Sequence, residues 1–149
     1  MRGPGFRDVT FRSLNGTTYY TPFDKEDAEL NRRTVYRFSP RGQRSAILDA
    51  FDCPDPSTTA PKRSVTTTPI QALALLNNAF VLRMADGFSE RLKKESDSLN
   101  EQVKRAYELA YSRNPDDEEL KLGVELSKKH GLSALGRVLF NSNEFVVIE

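Results

Sequence analysis

The chain has 149 residues, of which 38% are hydrophobic and 29% charged, and its net charge is +1. Near-neutrality gives no global electrostatic case for nucleic acid or an anionic membrane. The single cysteine, Cys53, and the single histidine, His130, exclude an internal disulfide, a Cys-rich zinc site and paired-histidine ligation.

In chain order, Met1-Arg2-Gly3-Pro4-Gly5 has no apolar core behind it and does not read as a signal peptide. Val9 to Ser13 and Thr17 to Tyr20 are β-branched and aromatic. Asn15-Gly16 between them tolerates positive φ at both positions, so the segment predicts a hairpin. After an acidic loop, Arg33 to Phe38 alternates polar and apolar residues and reads as a third strand, stopped at Ser39-Pro40. Residues 39–66 are rich in Pro, Ser and Thr, and only Ile47 to Phe51 suggests a helical turn. So long an irregular segment implies a binding loop or one wrapped against partner structure. It should drape over the first long helix, held by Arg–Asp pairs and by the amides Gln71, Asn77 and Asn78.

Helix signals follow. Thr68 caps and Pro69 fits the first helical position. Ile70, Leu73, Leu76, Phe80, Met84, Phe88 and Leu92 then make one stripe on a helix running to about Lys94. A second helix spans Leu99 to Ser112. Asn114-Pro115, with the acids behind it, starts a third that ends near His130-Gly131, and a last helix runs from Ser133 to about Asn141. The expected fold is therefore α+β and mostly α: a small N-terminal antiparallel hairpin or sheet, a long irregular loop, a long helix and a C-terminal three-helix cluster. Residues 1–149 are read as one domain, with 1–66 the hairpin and irregular part and 67–149 the helical part. No apolar run approaches the ~20 residues of a membrane span.

One block carries a family signature: Arg32-Arg33-Thr34-Val35-Tyr36, Leu48-Asp49-Ala50-Phe51-Asp52, Pro54-Asp55-Pro56, Arg63 to Pro69, Gln71-Ala72-Leu73 and Leu75-Leu76-Asn77. It resembles the C-terminal domain of unknown function of large planctomycete proteins that often begin with a planctomycete-type cytochrome c domain. The ending Leu139 to Phe145 looks like that family's terminus. The family's domain is longer at its N-terminal side, so this chain looks like its C-terminal half. The resemblance implies an exported, multidomain setting at the periplasm or cell surface, and no catalytic residues. Haem would belong elsewhere in the full-length protein, because Cys-x-x-Cys-His is absent here. Ala106-Tyr107, Arg113, Pro115-Asp116, Gly131 and Ser142 to Phe145 are also similar to small helical modules of secreted bacterial surface proteins.

Arg32, Arg33, Tyr36, Arg37 and Arg63 concentrate cation and aromatic character, and Thr66, Thr67 and Thr68 precede a helix N-terminus. Arg forks suit planar anions, and a helix start attracts them. The same arginines could instead pair with Asp49, Asp52 and Asp55, which recur every third residue and otherwise serve as turn caps. The spacing of these acids lacks the glycine and bidentate glutamate of an EF-hand, so no metal site is assigned. No nucleophile elbow, P-loop or dinucleotide fingerprint is present. The functional expectation is a non-catalytic scaffold that docks neighbouring domains or binds anionic polysaccharide. The alternative is part of a carbohydrate-active hydrolase completed by further N-terminal sequence. Incomplete cover of the Phe80–Phe88 stripe would favour a homodimer through that helix face.

Overall fold

The computed structural model describes residues 4–24, 28–40, 45–53 and 69–146. It divides into two compact units, Met1–Gln71 and Ala72–Glu149. It is mostly helical, with one antiparallel two-stranded sheet and a set of C-terminal helices.

In the first unit, β1 (Val9–Leu14) pairs with β2 (Thr17–Pro22), with Leu14 opposite Thr17 and Val9 opposite Pro22. The turn residues Asn15 and Gly16 have φ of 51° and 76°. Positive φ at both positions is the primed turn whose twist matches the strands. Pro22 lacks an N–H and lies opposite Val9, in the non-bonded phase of the ladder, because the next pair outward is bonded from Phe23 N–H to the Asp8 carbonyl at 2.9 Å.

The expected third strand does not form. Residues Thr34–Tyr36 make a short 3₁₀ turn. Only Arg37 bridges, in parallel, to Phe6. Phe6 N–H donates to the Tyr36 carbonyl at 3.0 Å, and Phe38 N–H donates to Phe6 at 2.8 Å. The alternation of apolar residues is real, but its backbone partner is one isolated residue, which satisfies two bonds and cannot propagate a ladder. Among the described residues of this unit, Phe6, Val9 and Leu30 are the buried apolar side chains.

Helix α1 (Ala46–Ala50) ends in a Schellman motif. Cys53 N–H donates to the Leu48 carbonyl at 2.9 Å and Asp52 N–H to the Asp49 carbonyl at 3.2 Å. Asp52 sits in the left-handed position at φ 55°. An aspartate tolerates that conformation better than a branched residue does.

The long helix expected from Thr68 to about Lys94 is two helices, α2 (Pro69–Asn77) and α3 (Ala79–Glu95). Asn78 separates them in extended backbone at ψ 131°, and its side chain accepts from Phe80 N–H at 3.0 Å. Asn77 Nδ2 donates to the Leu73 carbonyl of its own helix. These two amides therefore finish one helix and start the next, while the partner expected for them was the 39–66 segment. That segment lies largely outside the described residues, and Thr68 lies wholly outside them.

Three further helices complete the second unit's core: α4 (Leu99–Tyr111), α5 (Asp117–His130) and α6 (Leu132–Phe140). A short α7 (Asn143–Val146) follows. Helix α5 starts two residues later than the Asn114-Pro115 reading. Its cap is Asp116, whose carboxylate accepts from Glu119 N–H at 2.7 Å while Glu119 accepts from Asp116 N–H at 2.9 Å. This reciprocal capping box outcompetes Asn114, which has no glutamate three residues on.

The core joins Leu92 of α3, Val103 and Ala106 of α4, and Leu132, Leu135 and Leu139 of α6. Glycines allow two of the helix crossings to be close. A Cβ on Gly123 would lie 2.8 Å from Val103 Cγ1, and one on Gly136 would lie 3.5 Å from Ala85 Cβ. Of the expected stripe, Leu92 is buried and Phe88 half-buried, but Leu73 and Phe80 stay exposed. The inner face of α3 is carried by Val81, Ala85, Ser89 and Leu92.

Candidate functional site

The arginine-rich segment of the first unit is partly engaged in internal bonds. Arg37 is almost fully buried at its side chain (7% exposed), and its Nε donates to Asp8 Oδ2 at 2.7 Å. Arg32 Nη1 donates to the Pro4 carbonyl at 2.7 Å. Arg7 lies over the Phe38 ring, 5.0 Å from its centroid. Arg33 precedes the 3₁₀ turn and is exposed, while Tyr36 lies within that turn and is half-buried. These contacts tie the segment around residue 37 to the strand approach at residues 4–8. They reach Asp8, a residue that sequence reasoning did not single out.

Asp49 is exposed on α1, and Asp52 closes that helix. Arg63, Thr66, Thr67, Thr68 and Asp55 lie outside the described residues, so their part in the predicted site has no geometry here. Among the described residues, no group of three or more His, Cys, Asp or Glu side chains is placed to hold a metal ion. Cys53 is exposed.

Among the described residues, the densest polar cluster lies in the second unit around Arg113. Its Nη1 and Nη2 grip Glu119 at 2.7 and 2.8 Å, and its Nε and Nη2 grip Glu144 at 2.7 and 2.8 Å. The remaining Nη1 proton goes to the Asn114 carbonyl at 3.1 Å. All five guanidinium donors are thus engaged, two carboxylates bidentately, which is the strongest form of the ion pair. The guanidinium also lies 5.7 Å from the Tyr107 ring centroid and 5.4 Å from that of Tyr111. Tyr111 Oη donates to Ser142 Oγ at 2.8 Å.

The electrostatics follow from this geometry. The Arg113 fork, helped by the Asp116 N–H, pushes the Glu119 carboxyl down to about 2, and the same fork lowers Glu144. Arg113 is raised above its ordinary value by its hydrogen bonds to Glu119 and Glu144. Burial raises the phenols of Tyr107 and Tyr111. With its donors saturated, Arg113 has no hydrogen left to offer an incoming anion. It acts as a buckle that fastens α7 and the α5 start to the end of α4. Arg113, Pro115-Asp116 and Ser142 to Glu144 all belong to the tail pattern read from the sequence, but their mutual contact was not legible there. The Asp116-x-x-Glu119 spacing was the available signal for half of it.

A smaller knot links α3 to α4. Glu95 accepts from Arg91 at 2.8 Å and from Arg105 at 2.7 Å, and these bonds lower its pKa. No helix among the described residues is long and apolar enough to cross a membrane.

No curated protein and no solved structure matches the chain. The family model PSD1, protein of unknown function (DUF1553), matches residues 1–127, from the first unit through most of α5. With that much of its length covered, the chain belongs to the PSD1 (DUF1553) family.

Proposed function

We propose that the chain is a non-catalytic interaction module of an exported, multidomain, redox-linked bacterial protein of planctomycete type. In this reading it docks neighbouring domains and binds anionic polysaccharide, while a cytochrome c domain elsewhere in the polypeptide carries the haem. The observation that carries the reading is the β1–β2 ribbon, which leaves Phe11, Leu14 and Tyr19 at least half exposed. A lone two-stranded ribbon is marginal by itself in water, and large exposed apolar side chains mark interaction surfaces. The second support is the use of arginine in the second unit, where Arg113 and Arg105 lock helices together through ion pairs.

A thermal-shift panel tests this. A ligand that binds only the folded chain at ~100 times its dissociation constant adds ~2.7 kcal/mol. The melting midpoint should rise with a sulfated or uronate polymer, the rise should vanish at high salt, and dextran should do nothing. Release of reducing ends from any of these polymers would contradict the reading and favour a hydrolase. Light scattering at rising concentration tests self-association through the exposed Phe80 region, and a dimer is expected.

A further inference from the structure

We infer that one face of the β1–β2 ribbon is the surface that contacts the polysaccharide, with Arg12 holding the anionic group and Tyr19 stacking on the sugar ring. This rests on the function proposed above and gives that function a place. Alternation along the two strands puts Thr10, Arg12 and Leu14 on the same face as Thr17, Tyr19 and Thr21, and all six are exposed. On the opposite face Val9 is buried and Tyr20 half-buried, while Phe11 stays exposed.

Arg12 and Tyr19 are direct cross-strand partners. Their Cβ atoms therefore stand about 5 Å apart on one surface, close enough for a guanidinium and a ring to lie side by side. The face carries one positive charge and no carboxylate, and among the described residues no acid pairs with Arg12. Three nearby arginines are engaged within the unit: Arg37 pairs with Asp8, Arg32 donates to the Pro4 carbonyl and Arg7 covers the Phe38 ring. An unpaired Arg fork recognises a planar or tetrahedral oxyanion by paired hydrogen bonds. A tyrosine offers a flat apolar face with a polar tip. Threonine hydroxyls along the strands add donors and acceptors, although the Thr10 hydroxyl also donates to the Thr21 carbonyl at 3.4 Å. An anion beside a ring beside hydroxyls is the chemistry of an acidic sugar. The carboxylate of a uronate and the sulfate ester of a sulfated sugar share it.

The test is calorimetric titration of the full chain with a sulfated galactan, a polyuronate, dextran and a short single-stranded DNA. It is repeated with Arg12→Ala, Arg12→Lys, Tyr19→Ala and Arg33→Ala, each checked for native circular dichroism. One or both anionic polymers should bind, and which of them does identifies sulfate or carboxylate as the anion. Arg12→Ala and Tyr19→Ala should each weaken binding by about tenfold, equivalent to ~1.4 kcal/mol. Arg12→Lys should recover part of that loss. If the wild type binds but Arg33→Ala weakens it and Arg12→Ala does not, the ribbon assignment falls while the proposed function stands. If no anionic polymer binds the wild type, both fall. Equal affinity for dextran or DNA also overturns the assignment.

Discussion

Gly87 and Gly123 both lie inside helices, yet alanine should move stability in opposite directions at the two positions. Glycine in a helix interior costs ~1 kcal/mol relative to alanine, so each substitution begins with a gain of that order. At Gly87 a new Cβ meets nothing within 4 Å, and the gain stands. At Gly123 the new Cβ lies 2.8 Å from Val103 Cγ1. Val103 is fully buried, and as a β-branched residue on a helix it has one strongly preferred rotamer. The valine cannot turn aside, so α4 and α5 must separate. Overpacking of this kind costs ~1–3 kcal/mol, which exceeds the propensity gain. Gly87→Ala should therefore stabilise by ~0.5–1 kcal/mol and Gly123→Ala should destabilise by about 1 kcal/mol, a difference near 2 kcal/mol between the variants. Urea unfolding followed by far-ultraviolet circular dichroism resolves that difference, provided the m-value is unchanged. Equal stability of the two variants would refute the close α4–α5 crossing and with it the placement of the core.

Other outcomes follow from the Arg113 buckle and the turns. Arg113→Lys keeps the charge but loses the fork on Glu119 and Glu144, so amide exchange at Phe145 and Val146 of α7 should speed up several-fold while the α3 core stays protected. The Glu119 carboxyl is held near 2, below its ordinary 4.5. Its contribution is therefore present in full above pH ~4.5 and is lost as pH falls towards 2; Glu119→Gln should flatten the pH dependence of the melting midpoint in that window. Asp116→Ala removes the α5 cap and should cost ~1 kcal/mol in the same urea assay. Gly16 holds φ 76°, so Gly16→Val should strain the hairpin by ~1–2 kcal/mol, visible as loss of β1–β2 cross-strand proton contacts in nuclear magnetic resonance spectra.

Elements with a strong local signal were legible. Asn15-Gly16 announced the hairpin because turn type and residue type coincide, and the 3.6-residue period located α4, α5 and α6 to within a few residues. Elements decided by competition between neighbours were not. The stripe through Leu76 and Phe80 keeps its i, i+4 phase across Asn78, so the break between α2 and α3 is invisible to periodicity and shows only in the capping chemistry of one asparagine. Arg33 to Phe38 alternates like a strand, but a strand needs a partner of its own length, and here Phe6 alone supplies it. Charge pairing was least legible. Arg37 meets Asp8 across 29 residues and Arg113 meets Glu144 across 31, and no local pattern encodes either meeting. Membership of a family of unknown function was readable from the Arg32 to Asn77 block, since that signal is a string of residue identities and not a geometry.

The most direct test of the interaction-module account is a proton–nitrogen correlation spectrum of the isotopically labelled full chain, titrated with a short oligosaccharide of whichever anionic polymer binds. The account predicts shift changes concentrated on β1 and β2, centred on Arg12 and Tyr19, with the α3 to α6 core unmoved. Shift changes that cluster in the helical core, or a spectrum unaltered at saturating sugar, would contradict it.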